Sequence, residues 1–200
     1  MSNYIEEYLK PNSVPWTRKE PPKYLVKLIE KGVVKPCKAI DVGCGEGFNS
    51  KYLKSKCFEV TGIDFSKNAI KFAKKNAPGI NFKVKDMVDG DLTKLGKFDF
   101  CLEWSIMHCI NPKERVKYVK NISSILNSGA FYVSSCFNIK ADKFGKPGDK
   151  VRDAPTGKKL WFVSMEELTN LFEKDFKIIK SDENASLGGS KANYLLMKKK

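Results

Sequence analysis

The nine residues Ala39-Ile40-Asp41-Val42-Gly43-Cys44-Gly45-Glu46-Gly47 constrain this chain more than any other stretch. They read as a short apolar strand running into a turn with glycine at alternate positions. Without a Cβ, such a turn takes conformations closed to other residues and lets backbone approach a ligand closely. Phe48 to Lys56 has helical character, so the turn sits between the carboxyl end of a strand and a helix N-terminus. Open α/β sheets bind nucleotide-like ligands at that place. A Gly-x-Gly-x-Gly turn alone also occurs in tight loops that bind nothing. Its weight comes from the acids that follow: the apolar run 58–63 ends in Asp64, with Phe65-Ser66 after it, and the run 80–85 ends in Asp86-Met87. In a parallel sheet these strand ends lie side by side on one edge.

Two hundred residues at 42% hydrophobic content fit one domain with a sizeable core, and the expectation is a single domain over 1–200. No apolar run approaches the roughly 20 residues that span a bilayer, and the polar, acidic stretch 1–10 does not resemble a signal peptide. The six cysteines (Cys37, Cys44, Cys57, Cys101, Cys109, Cys136) show no Cys-x-x-Cys spacing. No metal site or disulfide framework is expected, and a cytoplasmic setting fits them. The formal charge of +14 raises nucleic acid as a partner, but arginine occurs only at 18, 115 and 152. The other basic residues are lysines spread along the chain among acids. Lysine binds phosphate as a point charge, without arginine's bidentate readout, so a solvated surface is favoured over a polyanion site.

In chain order, residues 2–10 have short helical periodicity, and prolines at 11, 15, 21 and 22 keep the next segment irregular. Tyr24, Leu25, Leu28 and Ile29 then recur at helical spacing up to Gly32, so 1–32 forms an N-terminal helical cap segment. Helices are expected at about 49–55, 67–75, from Pro112 to 126, and at 165–172, the last with a Ser164–Glu167 capping box. Strands are expected at 58–63, 80–85, 98–103, 130–137, 176–180 and 193–197, with a Gly188-Gly189 turn between the last two. The stretch 138–160, rich in Gly, Pro, Lys and Asp, shows neither period. It leaves a strand on the same edge as the glycine turn, as a long loop over the site would.

Dinucleotides and S-adenosylmethionine both use a glycine turn followed by an acid at the next strand end. Gly47 comes one position too early for Gly-x-Gly-x-x-Gly. Asp41 would repel a pyrophosphate but attract an α-ammonium group, which favours S-adenosylmethionine. Asp64 suits ribose hydroxyls, and Asp86 the adenine amine.

Asp41–Gly47, the run Val60-Thr61-Gly62-Ile63-Asp64-Phe65-Ser66 and Phe98-Asp99-Phe100 resemble the successive motifs of class I S-adenosylmethionine-dependent methyltransferases. Pro15-Trp16, and Glu103-Trp104-Ser105-Ile106-Met107-His108-Cys109-Ile110, resemble the small thiopurine and thiol methyltransferase-like branch. That branch usually carries Asp-Arg-Gly where this chain has Glu-Trp-Ser at 103–105. The resemblance implies a Rossmann-like, doubly wound, mostly parallel seven-stranded α/β sheet with an antiparallel last strand. It also implies that Trp16, Asp41, Gly43, Cys44, Gly45, Gly47, Asp64, Phe65, Asp86, Met87, Glu103 and Trp104 contact the cofactor. Glu103 and His108 are the candidate catalytic bases for a protonated acceptor. The expected activity is methyl transfer to a small molecule, such as a thiol or related soft nucleophile, by a monomer or homodimer off the membrane. The alternatives are an RNA methyltransferase, a nicotinamide-dependent oxidoreductase and a non-catalytic adenosyl-ligand binder.

Overall fold

A computed structural model describes residues 14–200; the helix expected over 2–10 lies outside them. The chain alternates α1 (Lys23–Glu30), β1 (Lys38–Val42), α2 (Phe48–Ser55), β2 (Glu59–Asp64), α3 (Lys67–Asn76), β3 (Asn81–Val84), β4 (Phe98–Trp104), α4 (Arg115–Ser124) and β5 (Leu126–Phe137). After these come β6 (Val151–Asp153), β7 (Lys159–Trp161), α5 (Met165–Phe172), β8 (Phe176–Leu187) and β9 (Ser190–Lys199). Seven strands form one sheet in the order β3-β2-β1-β4-β5-β9-β8. β1, β2, β3, β4 and β5 pair in parallel, and β9 runs antiparallel to both of its neighbours. The chain builds outward from β1 in one direction and then restarts at β4 on its other side. The sheet therefore switches direction between β1 and β4, and a crevice opens beyond their carboxyl ends.

The central strands β1, β2 and β4 and the second half of β5 are buried on both faces, which is why they read as apolar runs. One face packs Ile40, Val42, Cys101 and Tyr132 against Val119 and Ile122 of α4 and Leu168 and Phe172 of α5. The other packs Ala39, Val60, Leu102 and Val133 against Leu25 and Leu28 of α1 and Leu53 of α2. Ser66 caps α3 by accepting from Ala69 N, and the expected Ser164–Glu167 capping box opens α5. Pro112 begins a 3₁₀ turn that leads into α4.

Two expectations need correction. The final hairpin runs over 176–187 and 190–199, beyond the apolar cores read at 176–180 and 193–197. β8 is an edge strand, with Lys180, Ser181 and Glu183 exposed. Register shifts at 178–180 and 182–185 further break its two-residue alternation. The stretch 138–160 is also not structureless, because β6 and β7 pair as a small antiparallel hairpin within and just beyond it. Arg152, in β6 of that stretch, is only 3% exposed. Its guanidinium donates to the carbonyls of Ile139, Ala141, Lys143 and Asp149 at 2.7–3.0 Å and stacks on Phe162 at 3.9 Å. Among the described residues, no helix is long and apolar enough to cross a membrane.

Candidate active site

The tip of β1 carries the glycine turn, whose three glycines all take positive φ: 67° at Gly43, 52° at Gly45 and 81° at Gly47. Gly47 N donates to Cys44 O at 2.9 Å, closing the turn at the N-cap of α2. A Cβ on Gly43 would lie 2.1 Å from Ile106 Cδ1, and one on Gly47 would lie 2.8 Å from Phe82 Cζ. The turn is therefore fixed both by backbone conformation and by close neighbours.

Asp41 and Asp64 are brought together around this turn. Asp41 is 1% exposed and accepts from Ser50 Oγ on α2 at 2.6 Å. Asp64 Oδ2 accepts from Gly45 N at 3.0 Å and its Oδ1 from Ser66 N at 2.9 Å, so β2 holds the turn of β1 in place. Burial is the main cause that pushes both carboxyls up to about 6, with Asp64 adding repulsion at Asp41 and hydrogen bonds partly offsetting the rise. Neither has a lysine or arginine ion partner among the described residues. Cys44 is buried against Ile70, Ala73 and Phe82, and burial, with repulsion from Asp41 and Asp64, holds its thiol well above its usual range.

Asp86 does not join that pair. Its Oδ1 accepts from Val88 N at 2.7 Å and Asp89 N at 3.0 Å, shaping its own turn. Met87 is buried in the core, with Phe65 partly buried against the same cluster. Trp16 packs with Val14, Ala69 and Phe72 against α3. Trp104, half-buried, rests on the opposite face from Met87.

Glu103 lies at the end of β4 with no exposed surface. One oxygen accepts from Ile106 N at 3.3 Å and Met107 N at 3.0 Å; the other accepts from Tyr132 OH at 3.2 Å and Ser134 Oγ at 2.7 Å. Four donors thus occupy the four lone-pair positions of the carboxylate. Burial raises its pKa, and these donors pull it back. His108 is also buried: Nδ1 accepts from Phe137 N at 3.3 Å, and the ring packs on Phe137 at 4.5 Å. Desolvation first, then Arg115 and Lys143, lowers its pKa to about 3 and leaves the imidazole neutral. Among the described residues, no group of three His, Cys, Asp or Glu could hold a metal ion.

The chain is similar to known proteins in sequence and in fold. The family described as "Methyltransferase domain" matches residues 39–129, which span β1 to the start of β5. A probable S-adenosyl-L-methionine-dependent methyltransferase, TehB of Haemophilus influenzae, is 27% identical over 101 residues, 50% of this chain and 35% of that protein. A probable thiol methyltransferase of Arabidopsis thaliana is 24% identical over 148 residues, 71% of this chain and 65% of its own length. The crystal structure of the PH0226 protein from Pyrococcus horikoshii superposes with a TM-score of 0.72 at 17% identity, covering 92% of this chain and 95% of that one, and shows the shared fold.

Residues 39–129 are thus similar to a methyltransferase domain.

Within that matched stretch, the tips of β1 and β2 carry Asp41, the glycine turn and Asp64. Sequence reasoning missed four contributors. Ser50 is a serine on the buried side of α2, three positions past the last turn glycine, and that position was the available signal. Ile106 lies in the run 103–110 but acts through its packing on Gly43, while Tyr132 and Ser134 carry no motif and matter through Glu103 on the neighbouring strand.

Proposed function

We propose that the protein transfers the methyl group of S-adenosylmethionine to a small-molecule acceptor, a thiol or similar soft nucleophile. One observation carries the reading: two buried carboxylates without cationic partners, Asp41 and Asp64, flank a left-handed glycine turn at the sheet's switch point. A ligand bearing an ammonium group and no phosphate supplies the missing positive charge, whereas a dinucleotide adds more negative charge. Gly43, Cys44, Gly45 and Gly47 line the methionine part in this reading. Asp64 and Phe65 stand at the ribose, with Asp86 and Met87 toward adenine, and Trp16 and Trp104 flank the site. Bound there, S-adenosylmethionine supplies an electrophilic methyl group on a sulfonium.

The chain's own residues then act by positioning and by excluding water. Glu103 has no free lone pair and His108 is neutral and enclosed, so the reading makes both positioning residues instead of proton acceptors. Glu103 holds the turn after β4, where Ser105 takes a φ of 70°, and thereby sets Ile106 against Gly43. His108 orders the end of β5 by accepting the Phe137 N–H. An acceptor that reaches the site already ionised needs no base, as a thiolate does. The name of the Arabidopsis relative points the same way. The six cysteines form no disulfide among the described residues, which suits a reducing cytoplasm. Incubating the protein with methyl-labelled S-adenosylmethionine and a panel of small thiols, alcohols and amines tests the reading. Labelled thioether is expected; label transferred to none of the panel would defeat the small-acceptor reading.

A further inference from the structure

Three non-glycine residues take positive φ: Cys57, Ser105 and Phe144. Ser105 and Phe144 both lie near the carboxyl ends of β4 and β5. For an aromatic residue that conformation is unfavourable and persists only where surrounding structure enforces it. Here Arg152 enforces it. Its buried guanidinium holds the carbonyls of Ile139, Ala141 and Lys143, which clamps the backbone leading into Phe144.

The clamp fixes what the segment presents. The Phe144 ring stands edge-on to Phe137, centroids 6.1 Å apart. Lys143 Nζ lies 5.6 Å from the Phe137 ring centre and 5.2 Å from that of Phe144. Phe137 ends β5 and contacts His108, so the group stands two strands from the glycine turn, roughly 10 Å across the sheet edge.

A second cation meets the first. Lys143 Nζ is 3.4 Å from Gly188 O in the β8–β9 turn. A Cβ on Gly188 would lie 3.3 Å from Lys143 Nζ and 3.5 Å from Arg18 Nη2. Arg18 comes from the segment ahead of α1, and its side chain donates only to the carbonyls of Pro15 and Thr17 among the described residues. Two cationic heads from distant parts of the chain thus converge on one point beside an aromatic face. Neither has a carboxylate partner among the described residues. Like charges held together in this way favour an anion between them.

We propose that Lys143 and Arg18 bind the carboxylate of a small aromatic acceptor whose ring lies against Phe144. The word acceptor rests on the methyltransferase reading; the anion site does not. Arg18 provides a guanidinium fork and Lys143 a point charge. An occupied site ties the segment holding Trp16 and Arg18 to the segment clamped by Arg152, across the mouth of the crevice.

The test uses benzoate and its neutral counterpart benzamide as probes, with the full-length protein titrated by calorimetry with and without S-adenosylhomocysteine. Benzoate is expected to bind at least tenfold tighter than benzamide. Lys143→Gln and Arg18→Gln should each weaken benzoate at least fivefold and leave benzamide and S-adenosylhomocysteine unchanged. Lys146→Gln removes the same charge from the same segment and should change nothing. Equal binding of the two probes, binding of neither, or an equal loss with Lys146→Gln would overturn the proposal. A protein that prefers benzoate but ignores S-adenosylhomocysteine would keep the anion site and sink the methyltransferase reading instead.

Discussion

Replacing Gly43 by alanine tests how tightly the glycine turn is held, and the geometry sets the expected cost. A left-handed alanine costs about 1–2 kcal/mol in backbone conformation alone. The new Cβ would also sit 2.1 Å from Ile106 Cδ1 and 2.5 Å from Cγ1, so Ile106 must move. Forced rearrangement of that kind costs about 1–3 kcal/mol more. Gly43→Ala should therefore destabilise the protein by about 2–5 kcal/mol in urea unfolding. Gly129→Ala is the internal reference: its φ is 79°, and nothing lies within 4 Å of an added Cβ. It should cost only the conformational part. In a double-mutant cycle, Gly43→Ala and Ile106→Ala should couple by at least about 1 kcal/mol, because the second change removes the obstacle to the first. The reasoning fails if Gly43→Ala costs no more than Gly129→Ala, or if the two changes add without coupling.

Glu103→Ala strands two backbone N–H groups and two hydroxyls in the core, at about 1–3 kcal/mol for each unsatisfied group. Thermal unfolding should show a loss above about 3 kcal/mol, with Glu103→Gln intermediate; a near-neutral Glu103→Ala would remove the positioning role. The carboxyls of Asp41 and Asp64, pushed up to about 6, have two opposite pH consequences. In the free protein the folded state holds more protons than the unfolded state between about pH 4 and 6, so these two groups make stability fall as pH rises across that window. Affinity for the ammonium-bearing S-adenosylhomocysteine should instead fall as pH drops below about 6, by up to about tenfold per pH unit for each group; a flat titration from pH 5 to 7.5 would count against them as its anchors. The chain has one histidine, so its ring-proton NMR signals report His108 without ambiguity. With its pKa lowered to about 3, those signals should not shift between pH 5 and 8; a midpoint near 6.5 would show an accessible imidazole.

The half of the sheet that carries the glycine turn was legible because several local signals agree there. Buried parallel strands read as apolar runs, alternating glycines mark the turn, and Asp41 and Asp64 sit at strand ends. The other half was less legible because its logic is not local. Arg152 looks like one charge in a polar stretch, and only folding brings four carbonyls and Phe162 around it. Glu103 reads as a base at a strand end, yet its role is decided by Tyr132 and Ser134, about thirty residues later on the neighbouring strand. His108 is similar: periodicity places it after β4, but burial and the nearby Arg115 and Lys143, all products of the fold, lower its pKa. The edge hairpin was underestimated because an exposed, bulged strand of lysine and acid residues lacks the alternation that marks a half-buried one.

The most direct measurement is a calorimetric titration of the protein and its Asp64→Asn variant with S-adenosylhomocysteine at pH 7.5. The account predicts one site per chain in the unaltered protein and at least tenfold weaker binding in the variant, with circular dichroism unchanged. No heat of binding from the folded, unaltered protein, or equal affinity in the variant, would contradict the assignment of this edge as an adenosyl-ligand site.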